Sequence, residues 1–255
     1  TWYDAMTRPF RVREKALSGG GGQVVVDTDY DALGRVTFTA FPATATGSSA
    51  GTSTSYDALS RVTQTAETVT PFATTSYAYQ TGGKVKVTDP LNNITTTHYD
   101  AWGSPDGGLP VLIQQPLNVT TAMGYDNWGN MTSVNQYGTQ NGFTVNETQL
   151  YSYDSSLRLC RYYTPEGGST LYQYNNLGQL TAYAEGQSGS TGCASSLPSG
   201  STVTLGYHAM GWQNSINYAG TTPDVTMTYD DNGNMLTNNR GGANWTYVYN
   251  NLDML

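Results

Sequence analysis

Residues 30–36 read YDALGRV, and the same spacing returns along the whole chain. It opens at Tyr3 (YDAMTRP), Tyr56 (YDALSRV), Tyr79 (YQTGGKV), Tyr99 (YDAWGSP), Tyr125 (YDNWGNM), Tyr153 (YDSSLRL), Tyr174 (YNNLGQL), Tyr207 (YHAMGWQ), Tyr229 (YDDNGNM) and Tyr249 (YNNLDML). With Tyr30 these make eleven anchors, 20 to 33 residues apart, the period of stacked repeat architectures. Within residues 31–34, Asp31 suits the first position of a type I turn, where its carboxylate accepts a backbone N–H. Gly34 suits the fourth, where φ is positive. A type I turn followed by a left-handed Gly is the usual three-residue hairpin loop with a G1 bulge. Tyr30 then faces Val36, and Asp31 faces Arg35 across the ladder.

The other copies keep this chemistry. Asp or Asn follows the Tyr in nine of the eleven, as at Asp57, Asp126 and Asp154, and Gly stands four after it in seven: Gly34, Gly83, Gly103, Gly129, Gly178, Gly211 and Gly233. The ionic pair recurs as Asp4/Arg8, Asp57/Arg61 and Asp154/Arg158. An aliphatic partner recurs at Val62, Val85, Met131, Leu159, Leu180, Met235 and Leu255. Packing partners survive better than charges, as expected if apolar burial, at about 25 cal/mol per Å², outweighs an exposed ion pair.

Between anchors, Pro90, Pro116 and Pro165 each stand nine residues before a Tyr and open the return connection. A second aromatic lies two residues before the anchor at Tyr77, Tyr151, Tyr172 and Tyr247, on the same strand face. Residues 43–53, 138–148 and 185–201 are polar and read as exposed loops, and residues 18–22 (SGGGG) as a mobile one. No helix-period stretch is evident. Eleven hairpins imply about twenty-two strands, too wide a sheet to lie flat. The expected fold is all-β, antiparallel hairpins forming a long curled sheet, with residues 1–255 as one repeat array.

Composition narrows the function classes. Charged residues make up 12% of the 255 residues, whereas Tyr (20) and Gly (29) are abundant, which suits strands and turns rather than disorder. The formal charge of −8 opposes a nucleic-acid role. No apolar run approaches the roughly 18 residues of a membrane span. Because the chain starts and stops inside repeats, it is expected to be a fragment of a longer polypeptide. The repeated Asp residues each serve their own turn, so no catalytic carboxylate pair, cofactor or metal site is expected, and no enzyme. His98 and His208 have no metal-ligand spacing around them. Cys160 and Cys193 either form one bridge or are two unrelated thiols.

The unit Y-D-x-x-G-R-[VL], with DPLNN-type linkers before the next YD, resembles the YD-repeat (Rhs-repeat) family, and the likeness covers nearly the whole chain. That family includes bacterial Rhs toxins, the C components of Tc toxins and teneurins. The resemblance implies a β-ribbon spiralling into part of a hollow shell around a C-terminal toxin segment. It also implies a bacterial exported protein, secreted or at the cell surface, and on that ground a Cys160–Cys193 disulfide. The implied partners are further repeats and toxin cargo of the same polypeptide, with self-association of the isolated array. The alternative role is an adhesive or glycan-binding module whose Tyr residues stack on sugars. The Asp-Pro-x-Gly-Leu self-cleavage signature of the toxin shells is missing, since residues 89–92 read DPLN.

Overall fold

The computed structural model describes residues 1–15, 23–44, 46–100, 108–140, 142–189, 191–250 and 252–254. The loop at 18–22, Gly103 and Leu255 lie outside them. Twenty-one strands and no α-helix occur among the described residues, the only helical turn being the 3-10 turn Pro116–Asn118. The fold is therefore all-β and antiparallel.

The chain divides into two compact units, Thr1–Thr121 with Gly138–Phe143, and Ala122–Tyr137 with Thr144–Leu255. The first holds β1 (Trp2–Tyr3), β2 (Pro9–Lys15), β3 (Gln23–Tyr30), β4 (Val36–Ala40), β5 (Gly51–Tyr56), β6 (Val62–Glu67), β7 (Thr74–Gln80), β8 (Lys84–Thr88), β9 (Ile94–Asp100) and β10 (Leu109–Gln115). Each pairs antiparallel with the next in chain order. The unit boundaries fall within β11 (Val119–Tyr125), β12 (Met131–Gln140) and β13 (Phe143–Tyr153). The second unit continues with β14 (Leu159–Thr164), β15 (Gly168–Tyr174), β16 (Leu180–Gln187), β17 (Thr202–Tyr207), β18 (Gln213–Asn217), β19 (Val225–Tyr229), β20 (Met235–Arg240) and β21 (Ala243–Thr246). From β13 to β21 the strands again pair in sequence order.

Two of the polar connections are not simple exposed loops. Residues 138–148 are mostly strand, because Phe143, Thr144, Val145 and Thr148 favour extended backbone more than the neighbouring Gly and Asn residues oppose it. Residues 191–201 fold back onto β14 and β15. That stretch is held by a Cys160–Cys193 disulfide with 5.1 Å between Cα atoms, and Gln173 Nε2 donates to the Ser195 carbonyl at 3.2 Å. The cross-strand register places Arg161, Leu171 and Ala184 side by side on one face, with Ser169 and Ala182 next to them. All are buried, as is Cys160. This is where the second unit concentrates its core. In the first unit Val25 and Ala40 are buried, and residue 43 returns to Val25 through a pair of backbone hydrogen bonds of 2.7 and 3.0 Å. Gly51 is obligatory there, because a Cβ would overlap the Thr39 carbonyl and the Phe38 ring.

Candidate functional site

The recurring turn is the chemical centre of the repeat. Gly34 N–H donates to the Asp31 carbonyl (3.0 Å) and Asp31 N–H to the Arg35 carbonyl (2.9 Å), with Gly34 at φ +83°. This is a type I turn closed by a G1 bulge. Asp31 Oδ1 accepts the N–H groups of Leu33 (2.9 Å) and Arg35 (3.0 Å), and Oδ2 accepts Arg35 Nε at 2.6 Å. Tyr30 pairs with Val36, Tyr56 with Val62, Tyr79 with Val85, Tyr153 with Leu159, Tyr174 with Leu180, Tyr207 with Gln213 and Tyr229 with Met235.

The side chains do more than close their own hairpin. Arg35 Nη1 reaches the next turn, donating to the Asp57 carbonyl (3.2 Å) and Ser60 Oγ (3.1 Å), while the guanidinium lies 4.7 Å from the centre of the Tyr56 ring. Tyr56 Oη donates back to the Val36 carbonyl at 2.7 Å. Two successive hairpins are thus clasped from both sides. Arg8 and Tyr30 repeat the arrangement, with Tyr30 Oη on the Pro9 carbonyl at 2.9 Å. So do Arg158 and Tyr174, where Arg158 Nη1 meets the Asn175 carbonyl at 2.8 Å and Tyr174 Oη the Leu159 carbonyl at 2.8 Å. Tyr153, Tyr207 and Tyr229 donate likewise to Met131, Leu180 and Gln213, always the residue six after the preceding anchor. Charge is dispensable in this role. Gln179 reaches the Gly211 carbonyl, Asn234 reaches Asp253 Oδ1, and Trp212 packs 5.6 Å from Tyr229, all from the position Arg35 occupies.

This forward reach was not read from the sequence, although a signal was present: every anchor is Tyr and none is Phe. Ring packing alone does not need a hydroxyl. Asp89, within a linker by sequence pattern, is also a turn residue. Its Oδ1 accepts from Leu91 and Asn93 and its Oδ2 from Asn93 Nδ2, which is the same turn at the opposite edge of the sheet, with Asn92 at φ +63° in the Gly position. Of the remaining anchors, Tyr79 stands before a tighter loop in which Gly82 and Gly83 both have positive φ, and Tyr99 N–H donates to the Gly83 carbonyl. Gly129, Gly178, Gly211 and Gly233 close their turns as Gly34 does, and Asp253 N–H closes the one after Tyr249 on the Asn250 carbonyl. Asn175 holds the turn geometry with its amide oxygen and pairs with Gln179, so the loop depends on an acceptor rather than on a charge.

Where Gly is replaced, the backbone stays left-handed: Thr7 has φ +61°, Ser60 +64° and Leu157 +60°. For an L residue that conformation costs about 1–2 kcal/mol, and most for a β-branched one. Thr7 is exposed. Thr7→Gly is expected to raise stability by about 1 kcal/mol, seen as a higher urea midpoint with an unchanged slope; an unchanged or lower midpoint would show that the turn is not strained.

The turn carboxylates are held below their ordinary range. Hydrogen bonds from the Arg35 and Arg61 backbone N–H groups are the main cause at Asp31 and Asp57, and the Asn amide at Asp126 and Asp230. At Asp154 burial opposes the shift, and the hydrogen bonds from Arg158 outweigh it. Because the folded values are depressed, their stabilisation is complete above the unfolded carboxylate value of about 3.9 and fades as pH falls through the lower folded values. Stability is therefore expected to be flat from neutrality down to about pH 4 and to drop below it. Asp31→Asn with Arg35→Gln, which copies the Asn175/Gln179 turn, should shrink that drop in urea titrations across pH.

Interaction between the carboxyl groups of Glu147 and Glu166 raises Glu147 and lowers Glu166 relative to the ordinary glutamate value. Among the described residues no three His, Cys, Asp or Glu side chains are placed to hold a metal ion. His98 Nε2 lies 3.3 Å from Gln114 Oε1, and His208 stacks on Trp212 at 5.8 Å. Around that stack a cleft of 580 Å³ is lined by Met210, Met227, Tyr229, Asp230 and Asp231. No helix is long and apolar enough to cross a membrane among the described residues.

No family model and no curated protein matches the chain. Among solved structures it is similar to a TcdB2-TccC3-Cdc42 crystal structure at 14% identity and a TM-score of 0.58, over 98% of this chain and 15% of that one. A Photorhabdus luminescens Tc holotoxin pore gives 14% identity and 0.59 over 97% of this chain and 14% of that one. TcdB2-TccC3 without its hypervariable C-terminal region gives 15% and 0.57, over 98% and 14%. The likeness is one of fold, and this chain spans 14–15% of the length of those chains.

Proposed function

We propose that the chain is a structural wall segment of an exported YD-repeat shell that encloses or displays a C-terminal toxin or effector, and that it has no catalytic task. The clasp carries this reading. The turn carboxylate holds its own guanidinium, the guanidinium donates to the next turn, and the anchor hydroxyl of that next hairpin donates back to a backbone carbonyl of the first, as a load-sharing wall requires. The similarity in fold to Tc toxin structures agrees with it, and the disulfide agrees with export. Its partners on this reading are further repeats and cargo of the same polypeptide.

Limited proteolysis of the full-length polypeptide tests enclosure. The effector segment should resist digestion while the wall is intact and become cleavable when Tyr56→Ala opens a clasp. Equal digestion of that segment in both proteins would reject enclosure. The adhesive reading has one observation in its favour, the cleft at Trp212 with its aromatic and carboxylate lining. Glycan-array binding abolished by Trp212→Ala would support it, and silence of the parent protein on the array would remove it.

A further inference from the structure

Clasp after clasp sets a carboxylate, a guanidinium and a Tyr ring against one another. Arg8 lies over Tyr30 at 4.5 Å, Arg35 over Tyr56 at 4.7 Å, Arg61 over Tyr79 at 4.1 Å and Arg158 over Tyr174 at 4.8 Å. Each of these Arg residues is also paired with the Asp of its own turn. The turn after Tyr207 departs from this chemistry in both members of the pair. His208 stands where Asp31 does and Trp212 where Arg35 does, and the two rings stack 10° from parallel with centroids 5.8 Å apart. His208 Nδ1 takes over a duty of the carboxylate, accepting the Met210 N–H at 3.3 Å. The indole leans on Tyr229 and lies against Gly233, where a Cβ would stand 2.9 Å from the ring. These three rings, with Asp230 and Asp231, line the 580 Å³ cleft, a volume within the usual range of small-ligand sites.

The member missing here is the cation. Asp230 Oδ2 accepts the neutral Asn234 amide at 3.0 Å, where Asp31 Oδ2 holds Arg35 at 2.6 Å. No ion pair among the described residues involves Asp230 or Asp231. Asp253 adds a further carboxylate beside the same turn, accepting from the amides of Asn232 and Asn234 at 3.3 and 2.9 Å. The second unit has nine Asp and Glu against three Arg and no Lys, so it carries six of the eight net negative charges of the chain. From this missing partner we infer that the cleft binds a guanidinium group, supplied by an arginine residue of a peptide. Aromatic faces beside carboxylates that lack a basic partner give a planar cation both stacking and charge-assisted hydrogen bonds, and a guanidinium uses both better than an ammonium does. The four occupied clasps show the same kinds of group closing on Arg from within the chain. Trp212 is fixed before binding by Gly233 and His208, which spares the cost of ordering it. A residue within a peptide also lacks the free carboxylate that so negative a unit repels.

Titration of the isotope-labelled whole chain with N-acetyl-L-arginine amide tests the site, followed by NMR through the indole N–H signals and the backbone amides of residues 229–233. The indole signal that is absent from Trp212→Phe is expected to move, with a Kd in the millimolar range, as one stacked and ion-paired group provides. The neutral citrulline counterpart should leave it in place, and the lysine counterpart and free L-arginine should each bind at least threefold more weakly. Asp230→Asn with Asp231→Asn should weaken binding at least tenfold. Asn at position 230 keeps the turn, as Asn175 does, and unchanged signals elsewhere verify the fold. His208→Asp with Trp212→Arg rebuilds the Asp31/Arg35 pair, fills the cleft from within and should abolish the movement of the 229–233 amides. No response to the arginine compound, an equal response to citrulline, or undiminished binding by the Asp230/Asp231 variant would overturn the site. Movement of the Trp212 signal with a neutral oligosaccharide but not with the arginine compound would give the cleft to a sugar instead. Equal affinity for the lysine counterpart would overturn the choice of guanidinium, and equal affinity for free L-arginine the peptide source. None of these outcomes depends on whether a cargo is enclosed.

Discussion

Cys193→Ser is expected to lower the unfolding free energy of the second unit by about 4 kcal/mol, the loop-closure value for a bridge spanning 33 residues. The loss has a structural side as well. Without the bridge residues 191–201 are held on the sheet by contacts such as that of Gln173 with Ser195, and β14 and β15 lose the cross-link that ties them to that stretch. Hydrogen exchange should therefore rise in β14 and β15 and remain unchanged in β3–β6. Reduction of the parent protein should reproduce the effect. If the variant unfolds at the parent urea midpoint, the loop is held by its other contacts and the disulfide is incidental.

Tyr56→Ala is expected to cost about 3 kcal/mol and Tyr56→Phe about 1 kcal/mol. The first removes a half-buried ring, its contact with the Arg35 guanidinium at 4.7 Å and its hydroxyl. The second removes only the bond to the Val36 carbonyl. Because that bond joins two hairpins, the Phe variant should loosen β3–β4 as well as β5–β6 in hydrogen exchange. Loosening confined to β5–β6 would mean that the hydroxyl contributes nothing between hairpins, and the clasp would then be a packing coincidence.

The parts of the repeat that were legible in the sequence are those set by local chemistry. Asp31 and Gly34 define the turn through backbone bonds within five residues, and Tyr30 faces Val36 because period-2 strands on either side of that turn leave no other register. Degenerate copies strengthened the signal: with eleven examples, a lost charge at Asn175 or a lost Gly at Leu157 did not hide the pattern. Asp89 was missed because Pro90 and two Asn residues disguise the same turn as a linker, although the acceptor and the left-handed residue stand at the usual spacing.

What lay beyond the sequence depends on which hairpin lies beside which, and on which face. A guanidinium that reaches 22 residues ahead to Asp57, a hydroxyl that reaches 20 residues back to Val36 and a connection bridged from Cys193 to Cys160 all follow from stacking, not from turn type. From the sequence alone came the all-β class, the hairpin unit and its recurrence, since short-range hydrogen bonding and side-chain alternation are local. Only the tertiary structure decided that the Tyr and Arg of each unit belong equally to their neighbours, because contacts between hairpins form only once the strands have paired in order.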